Sequence, residues 1–224
     1  MLKCLKEREV SLNLEAKIGR PVSASSPLIY LITKGDLTPE NFAFQSEHTI
    51  QIIRFATAQK IPLIQIREKL LTAKLLVKLA SDAVKIAKNT ETKIIINDRV
   101  DIALAAYADG VHLPASAVLP AVARRLLKRS FICGRSTHSI REAEVMKDEG
   151  ADFITFSPVF ETPSKAEFGP PQGLEKLREV CERLKGFPVI ALGGINNENF
   201  QSSLDCGAKG FAAIRFLNER KNLV

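Results

Sequence analysis

Short runs of aliphatic and β-branched residues recur at 28–33, 61–66, 93–97, 109–113, 131–134, 152–156, 188–192 and 210–214. Their nearly continuous apolar character is that of strands buried on both faces of a parallel sheet. Between them polar and apolar positions alternate at helical spacing, at 46–59, 72–88, 99–107, 117–128, 139–149, 173–185 and 197–206, with a short stretch from 215 on. Thr72 precedes Ala73-Lys74-Leu75-Leu76 as a helix start. Ser139-Ile140-Arg141-Glu142 is a capping-box pattern, and Gly150 and Gly207 stand where helices end.

Eight strand-then-helix units predict an α/β fold, a (β/α)8 TIM barrel. The competing arrangement is a doubly wound open sheet. No GxGxxG follows the first strand, and polar clusters follow nearly every strand rather than flanking one switch point. Residues 1–27 read as an N-terminal extension, either helical or disordered, ending in the linker-like Pro21-Val22-Ser23-Ala24-Ser25-Ser26-Pro27, with the barrel at 28–224. The last helix is short, so a barrel edge is left open, or the extension or a partner chain covers it.

Composition narrows the function. Apolar residues make up 46% of the chain and charged residues 25%, with no apolar stretch of membrane-spanning length. The net charge of +7 comes without Trp and without aromatic–basic interleaving, so it reads as a basic surface that favours anionic small molecules over nucleic acid or membrane. Cys4, Cys133, Cys181 and Cys206 form no CxxC or metal-like spacing and read as reduced thiols of a cytoplasmic protein. The first twenty residues have no apolar core of a secretory signal.

In a barrel the polar runs after the strands converge on one face. Gln65, Arg67 and Lys69 follow strand two. The last two, two positions apart, would point to the same side and suit a phosphate or diphosphate. Asn97 and Asp98 follow strand three; Ser136-Thr137-His138-Ser139 follow strand five. The loop after strand six carries Thr162, Ser164 and Lys165, either a second anion site or a solvated loop lysine. Gly193-Gly194 after strand seven would let backbone N–H groups approach a phosphate, or simply make a tight turn; Arg215, after Ile214 at the end of strand eight, would add charge or lie on the surface. His138, between a strand and a helix start, is either a proton-transfer group or a helix-entry residue bonded only to backbone. His112 reads as a packed barrel residue and His48 as solvated.

QIREK, INDRVDIALAA, ADGVHL, GRSTHS, GADFITFSPVFETPSK and PVIALGGI occur in this order. Together they resemble the thiamine phosphate synthase and thiazole tautomerase family over about 28–217. The resemblance implies a (β/α)8 barrel and two activities. The synthase joins an aminopyrimidine methyl diphosphate to a thiazole phosphate with Mg2+. The tautomerase aromatises a carboxythiazole phosphate by proton transfer without metal. By motif, Gln65, Arg67 and Lys69 match pyrimidine-diphosphate residues. Asn97 matches a pyrimidine or diphosphate contact, Asp98 a magnesium ligand, and Ser136 and Lys165 further diphosphate contacts, with Thr162 and Ser164 beside them. Gly193, Gly194, Ile214 and Arg215 match the thiazole-phosphate site.

The pattern departs from the synthase after strand four. The synthase usually reads HLGQxD, with the Asp a second magnesium ligand; here the chain reads His112-Leu113-Pro114-Ala115-Ser116-Ala117. Ala117 offers no oxygen donor, and magnesium takes oxygen ligands in near-octahedral geometry. LPxS, GRSTHS and VFET resemble the tautomerase branch, where the motif histidine, here His138, transfers the proton. Arg215 stands where the family usually has Ser. The leading expectation is therefore a thiazole tautomerase with His138 as base. The alternative is a Mg2+-dependent thiamine phosphate synthase, and a second alternative is a non-catalytic sensor of phosphorylated ligands. Expected partners are phosphorylated thiazole and, for the synthase, pyrimidine diphosphate, with a homodimer open because family members often form one.

Overall fold

A computed structural model describes residues 14–19, 26–127, 131–162 and 170–223. Eight parallel strands close into a barrel in sequence order: β1 (Leu28–Ile32), β2 (Leu63–Ile66), β3 (Lys93–Asn97), β4 (Gly110–Leu113), β5 (Ile132–Thr137), β6 (Phe153–Phe156), β7 (Val189–Leu192) and β8 (Gly210–Ala213). Helices lead and alternate with them: α1 (Leu14–Ile18), α2 (Phe42–Ala58), α3 (Ala73–Ala87), α4 (Val100–Ala105), α5 (Pro120–Leu127), α6 (Ile140–Asp148), α7 (Gly173–Arg183) and α8 (Phe200–Asp205). The expected barrel is the observed one. Among the described residues no helix is long and apolar enough to cross a membrane.

Strand alternation divides the core in two. Outward residues such as Leu31, Ile64, Ile94, Ile96, Val111 and Ile154 pack with the helices. Inward residues such as Leu28, Tyr30, Leu63, Ile95, Ile132 and Phe153 fill the cylinder. A run reads as continuously apolar because both of its faces are buried in this way.

Three local differences from the sequence pattern have physical causes. Helix α2 begins at Phe42 rather than near 46, because Thr38 and Asn41 close a reciprocal turn: the Thr38 N–H donates to Asn41 Oδ1 at 2.8 Å and the Asn41 N–H to Thr38 Oγ1 at 3.4 Å. At α6 the Ser139 hydroxyl accepts from the Glu142 N–H as expected, but the Glu142 carboxylate reaches back one residue further, to the His138 N–H at 2.7 Å. Strand β5 runs through Thr137, so Ser136 is a strand residue and not a loop residue.

After β8 the chain makes two 3-10 turns, Phe216–Asn218 and Arg220–Asn222, in place of a final helix. They cover the edge left by the short C-terminus. Leu217 and Leu223 are buried, Asn218 Nδ2 donates to the Ile32 carbonyl of β1 at 2.7 Å, and Arg220 lies over the Phe55 ring of α2. Helix α1 lies at the other end of the barrel, where the strands begin. Leu14 and Ile18 are buried among the inward residues, and Lys17 Nζ donates to Asp152 Oδ1 at 2.6 Å and to the Phe131 carbonyl at 3.1 Å. Residues 1–13 and most of the linker-like stretch, 20–25, lie outside the described residues.

Candidate functional site

The C-terminal ends of the strands form one mouth. Around it stand Arg67 after β2, Asn97 and Asp98 at β3, Ser136 on β5, His138 before α6, Thr162 after β6, Gly193 and Gly194 after β7, and Ile214 and Arg215 after β8. Ser164 and Lys165 lie outside the described residues. A groove of roughly 410 Å³ between α2 and α3, lined by Phe42, Arg54, Lys78 and Asp82 among others, is on the outer wall and holds none of these groups.

Gln65 and Lys69 differ from the expected placement. Gln65 points into the cylinder, is 1% exposed, and donates from its amide nitrogen to the Tyr30 hydroxyl. Strand β2 ends at Ile66 and the chain turns at Lys69, so strand alternation does not carry Lys69 to the side of Arg67; Lys69 is exposed. Arg67 is half-buried and forms no ion pair with a described carboxylate. Burial lowers its pKa, opposed in part by the nearby Glu68 charge. Glu68 is committed elsewhere: its two oxygens accept from the N–H groups of Gly35 and Leu37 at 3.1 and 3.0 Å. Burial raises the Glu68 pKa despite these bonds. The β1–α2 loop is thereby fastened beside Arg67, whose own N–H donates to Thr33 Oγ1 at 2.9 Å. A guanidinium without such a partner suits a phosphate or diphosphate.

His138 is held by backbone. Its Nδ1 lies 2.7 Å from the Ser157 carbonyl oxygen. A carbonyl only accepts, so Nδ1 carries a hydrogen, and in an uncharged ring the lone pair then falls to Nε2. Arg215 donates to Thr162 Oγ1 at 3.1 Å, linking the β8 and β6 loops.

Gly193 and Gly194 have φ of 100° and 68°. A Cβ at Gly193 would lie 2.7 Å from Pro158 Cα, and one at Gly194 2.4 Å from the Glu161 carbonyl oxygen. The pair lets the β7 loop pass flush against the β6 loop, where the Phe160 N–H donates to the Gly193 carbonyl at 3.0 Å. Gly194→Ala combines left-handed backbone with this overlap. It is expected to destabilise the fold by about 2–3 kcal/mol in urea titration.

Arg135 was not marked by the sequence pattern. On β5 it alternates with the inward Ser136 and turns outward, donating to the carbonyls of Ala115 at 2.8 Å, Ala117 at 3.2 Å and Val118 at 2.7 Å. A charged residue on the otherwise apolar outward face of a strand was the available signal. Its consequence bears on magnesium. Three carbonyl oxygens of the β4 loop are engaged by a cation already, and Ala117 supplies no side-chain oxygen. Asp98, exposed at φ 63°, is the carboxylate nearest the mouth on β3, and no cluster of three candidate ligands exists among the described residues. This donor set does not fit a resident metal site. One carboxylate does fit a magnesium ion brought in on a substrate diphosphate, since magnesium binds through one or two carboxylates plus phosphate and water.

The family described as thiamine monophosphate synthase matches residues 29–217. A putative thiamine-phosphate synthase of Geobacter sulfurreducens is 42% identical over 74% of this chain and 77% of its own length. The putative thiamine-phosphate synthase 2 of Aquifex aeolicus is 40% identical over 86% of this chain and 98% of its own. Among solved structures, thiamine phosphate pyrophosphorylase from Pyrococcus furiosus superposes with a TM-score of 0.73 at 29% identity, covering 87% of this chain and 92% of that one. Six ordered motifs, a closed eight-stranded barrel and relatives matched over most of their length agree: the chain is an enzyme of thiamine biosynthesis and belongs to the thiamine monophosphate synthase family.

Proposed function

We propose that the chain is a thiamine phosphate synthase, a cytoplasmic transferase that joins a pyrimidine methyl diphosphate to a thiazole phosphate. The relatives named above favour this reading over the tautomerase that the β4 loop suggested. The observation that carries it is Arg67: a half-buried cation at the mouth, without a carboxylate partner among the described residues, while adjacent Glu68 is turned onto backbone. In joining, the carbon–oxygen bond to the diphosphate breaks as the thiazole takes its place, and negative charge gathers on the leaving group. Arg67 and the Ser136 hydroxyl meet that charge, while the Gly193-Gly194 backbone and Arg215 hold the thiazole phosphate. Asp98 is the carboxylate that would help hold a magnesium ion arriving with the diphosphate, and such an ion would add to the neutralisation of the leaving group. Closed strands beneath the mouth exclude water from the floor.

The tautomerase reading retains one specific observation, the His138 ring oriented by its Nδ1 contact with the Ser157 carbonyl. One experiment separates the two. Pure protein is incubated with pyrimidine methyl diphosphate and thiazole phosphate, with magnesium or with EDTA, and separately with carboxythiazole phosphate. Joined product in magnesium and none in EDTA is expected, with His138→Asn retaining most of the joining activity. Aromatisation of carboxythiazole phosphate by NMR, lost in His138→Asn and without any joined product, would replace the synthase with the tautomerase. Ligand binding without turnover in either assay would leave the sensor. Because Ala117 withholds a ligand, Ala117→Asp is expected to lower the magnesium concentration for half-maximal rate several-fold, on the order of the tenfold effects seen for altered metal shells.

A further inference from the structure

His112 lies inside the cylinder on β4 and is 3% exposed. Its ring centroid is 5.8 Å from those of both Tyr30 on β1 and Phe153 on β6. Nε2 lies 2.9 Å from Ser136 Oγ on β5 and 3.5 Å from Thr155 Oγ1 on β6. Nδ1 has no hydrogen-bond partner. It faces Gly134, where a Cβ would come within 2.7 Å of it. The glycine makes room for the imidazole and offers it nothing to bond.

A neutral imidazole has one N–H and one lone pair. With the hydrogen on Nδ1, a buried donor would point at the Gly134 backbone unsatisfied. With the hydrogen on Nε2, the donor is used and only an acceptor goes unpaired, which is the cheaper defect. We infer that His112 is a neutral Nε2–H donor that fixes the Ser136 hydroxyl, so that the Ser136 O–H is directed into the mouth as a donor to a substrate oxyanion. Ser136 Oγ accepts from the imidazole below it, and its own hydrogen must then leave in another direction. His112 touches no substrate in this arrangement; it is a positioning residue acting through Ser136. The groups around the ring keep it uncharged across the working range: burial, the Arg135 charge and then the Arg67 charge bring its pKa down to about 3. Tyr30 beside it is held in its neutral form by burial. The identity of the oxyanion rests on the synthase reading; the tautomer does not.

The test has two arms on the full chain. In 15N–1H NMR of histidine-labelled protein, His112 is expected to show an Nε2–H pattern that does not move between pH 5.5 and 9. An Nδ1–H pattern, or titration within that range, overturns the inference even if the enzyme has no synthase activity. In the joining assay Ser136→Ala and His112→Leu are each expected to lower kcat/KM by about 10–100-fold, and the double variant to lose no more than either alone, because both remove one directed hydrogen bond. His112→Gln, which restores an N–H donor, is expected to recover part of the rate. Independent, multiplicative losses, or no loss in His112→Leu, would overturn the positioning role. If His112→Leu does not fold, the tautomer and the Gln variant still decide. A wild-type protein inactive in the assay would count against the synthase reading alone.

Discussion

Arg67→Met is expected to lower kcat/KM for joining by about 10²–10³-fold while leaving the fold intact, as befits loss of one preorganised cation facing charge that develops in the transition state. The side chain is half-buried, so its attraction for an oxyanion is screened less than at the open surface. Its desolvation is offset by no ion pair within the described protein, so the energy of pairing is available to a ligand. Methionine keeps the aliphatic packing and removes the charge. Steady-state rates with each substrate varied check the assignment. A fall confined to KM of the thiazole phosphate would move Arg67 to the other substrate. An unchanged kcat/KM would remove it from the site.

Lys17→Met is expected to destabilise the protein by about 2–3 kcal/mol with kcat unchanged. Lys17 and Asp152 have side chains 6% and 5% exposed, 2.6 Å apart, and Arg124 approaches the same carboxylate at 2.9 Å. Asp152 Oδ2 also accepts from the Cys133 N–H at 2.7 Å. Removing one partner of a buried pair costs more than a surface pair because the remaining charge stays desolvated; the usual figure is about 3–5 kcal/mol, lessened here because Arg124 and the Cys133 N–H remain. The cluster ties α1 to the start of β5 and β6, at the end of the barrel opposite the mouth, so catalysis should not register the change. Urea unfolding against steady-state rate makes the comparison. Unchanged stability would show that α1 does not hold this end closed in solution.

Much of the architecture was legible because two-sided burial writes itself into sequence as apolar runs, and those runs are evenly interrupted by helical periods. The polar part of β5 was not. Gly134-Arg135-Ser136-Thr137 has no apolar pattern, yet it is strand because Ser136 faces the mouth, Thr137 donates to the Thr155 carbonyl, and Arg135 finds three carbonyls outside. Those partners come from distant segments, which local sequence does not reveal. Gln65 illustrates a second limit. Its inward direction follows from alternation, but its depth depends on strand tilt and stagger, and these place it against Tyr30 below the rim. Conversely, the Gly193-Gly194 pair needed no more than its sequence to mark a close approach. The partner of that approach, the β6 loop, came only with the fold. The role of His112 was hidden for the same reason: the sequence marked a packed histidine, and only the neighbouring strands show which nitrogen has a partner.

The central claim is that this mouth, and no other surface, grips both phosphorylated heterocycles. A crystal structure with thiazole phosphate and inorganic pyrophosphate tests it most directly. Pyrophosphate oxygens are expected beside the Arg67 guanidinium and the Ser136 hydroxyl, with the thiazole phosphate against the Gly193-Gly194 backbone. Ligands seated in the groove between α2 and α3, or a mouth that excludes both at saturating concentration, would contradict it.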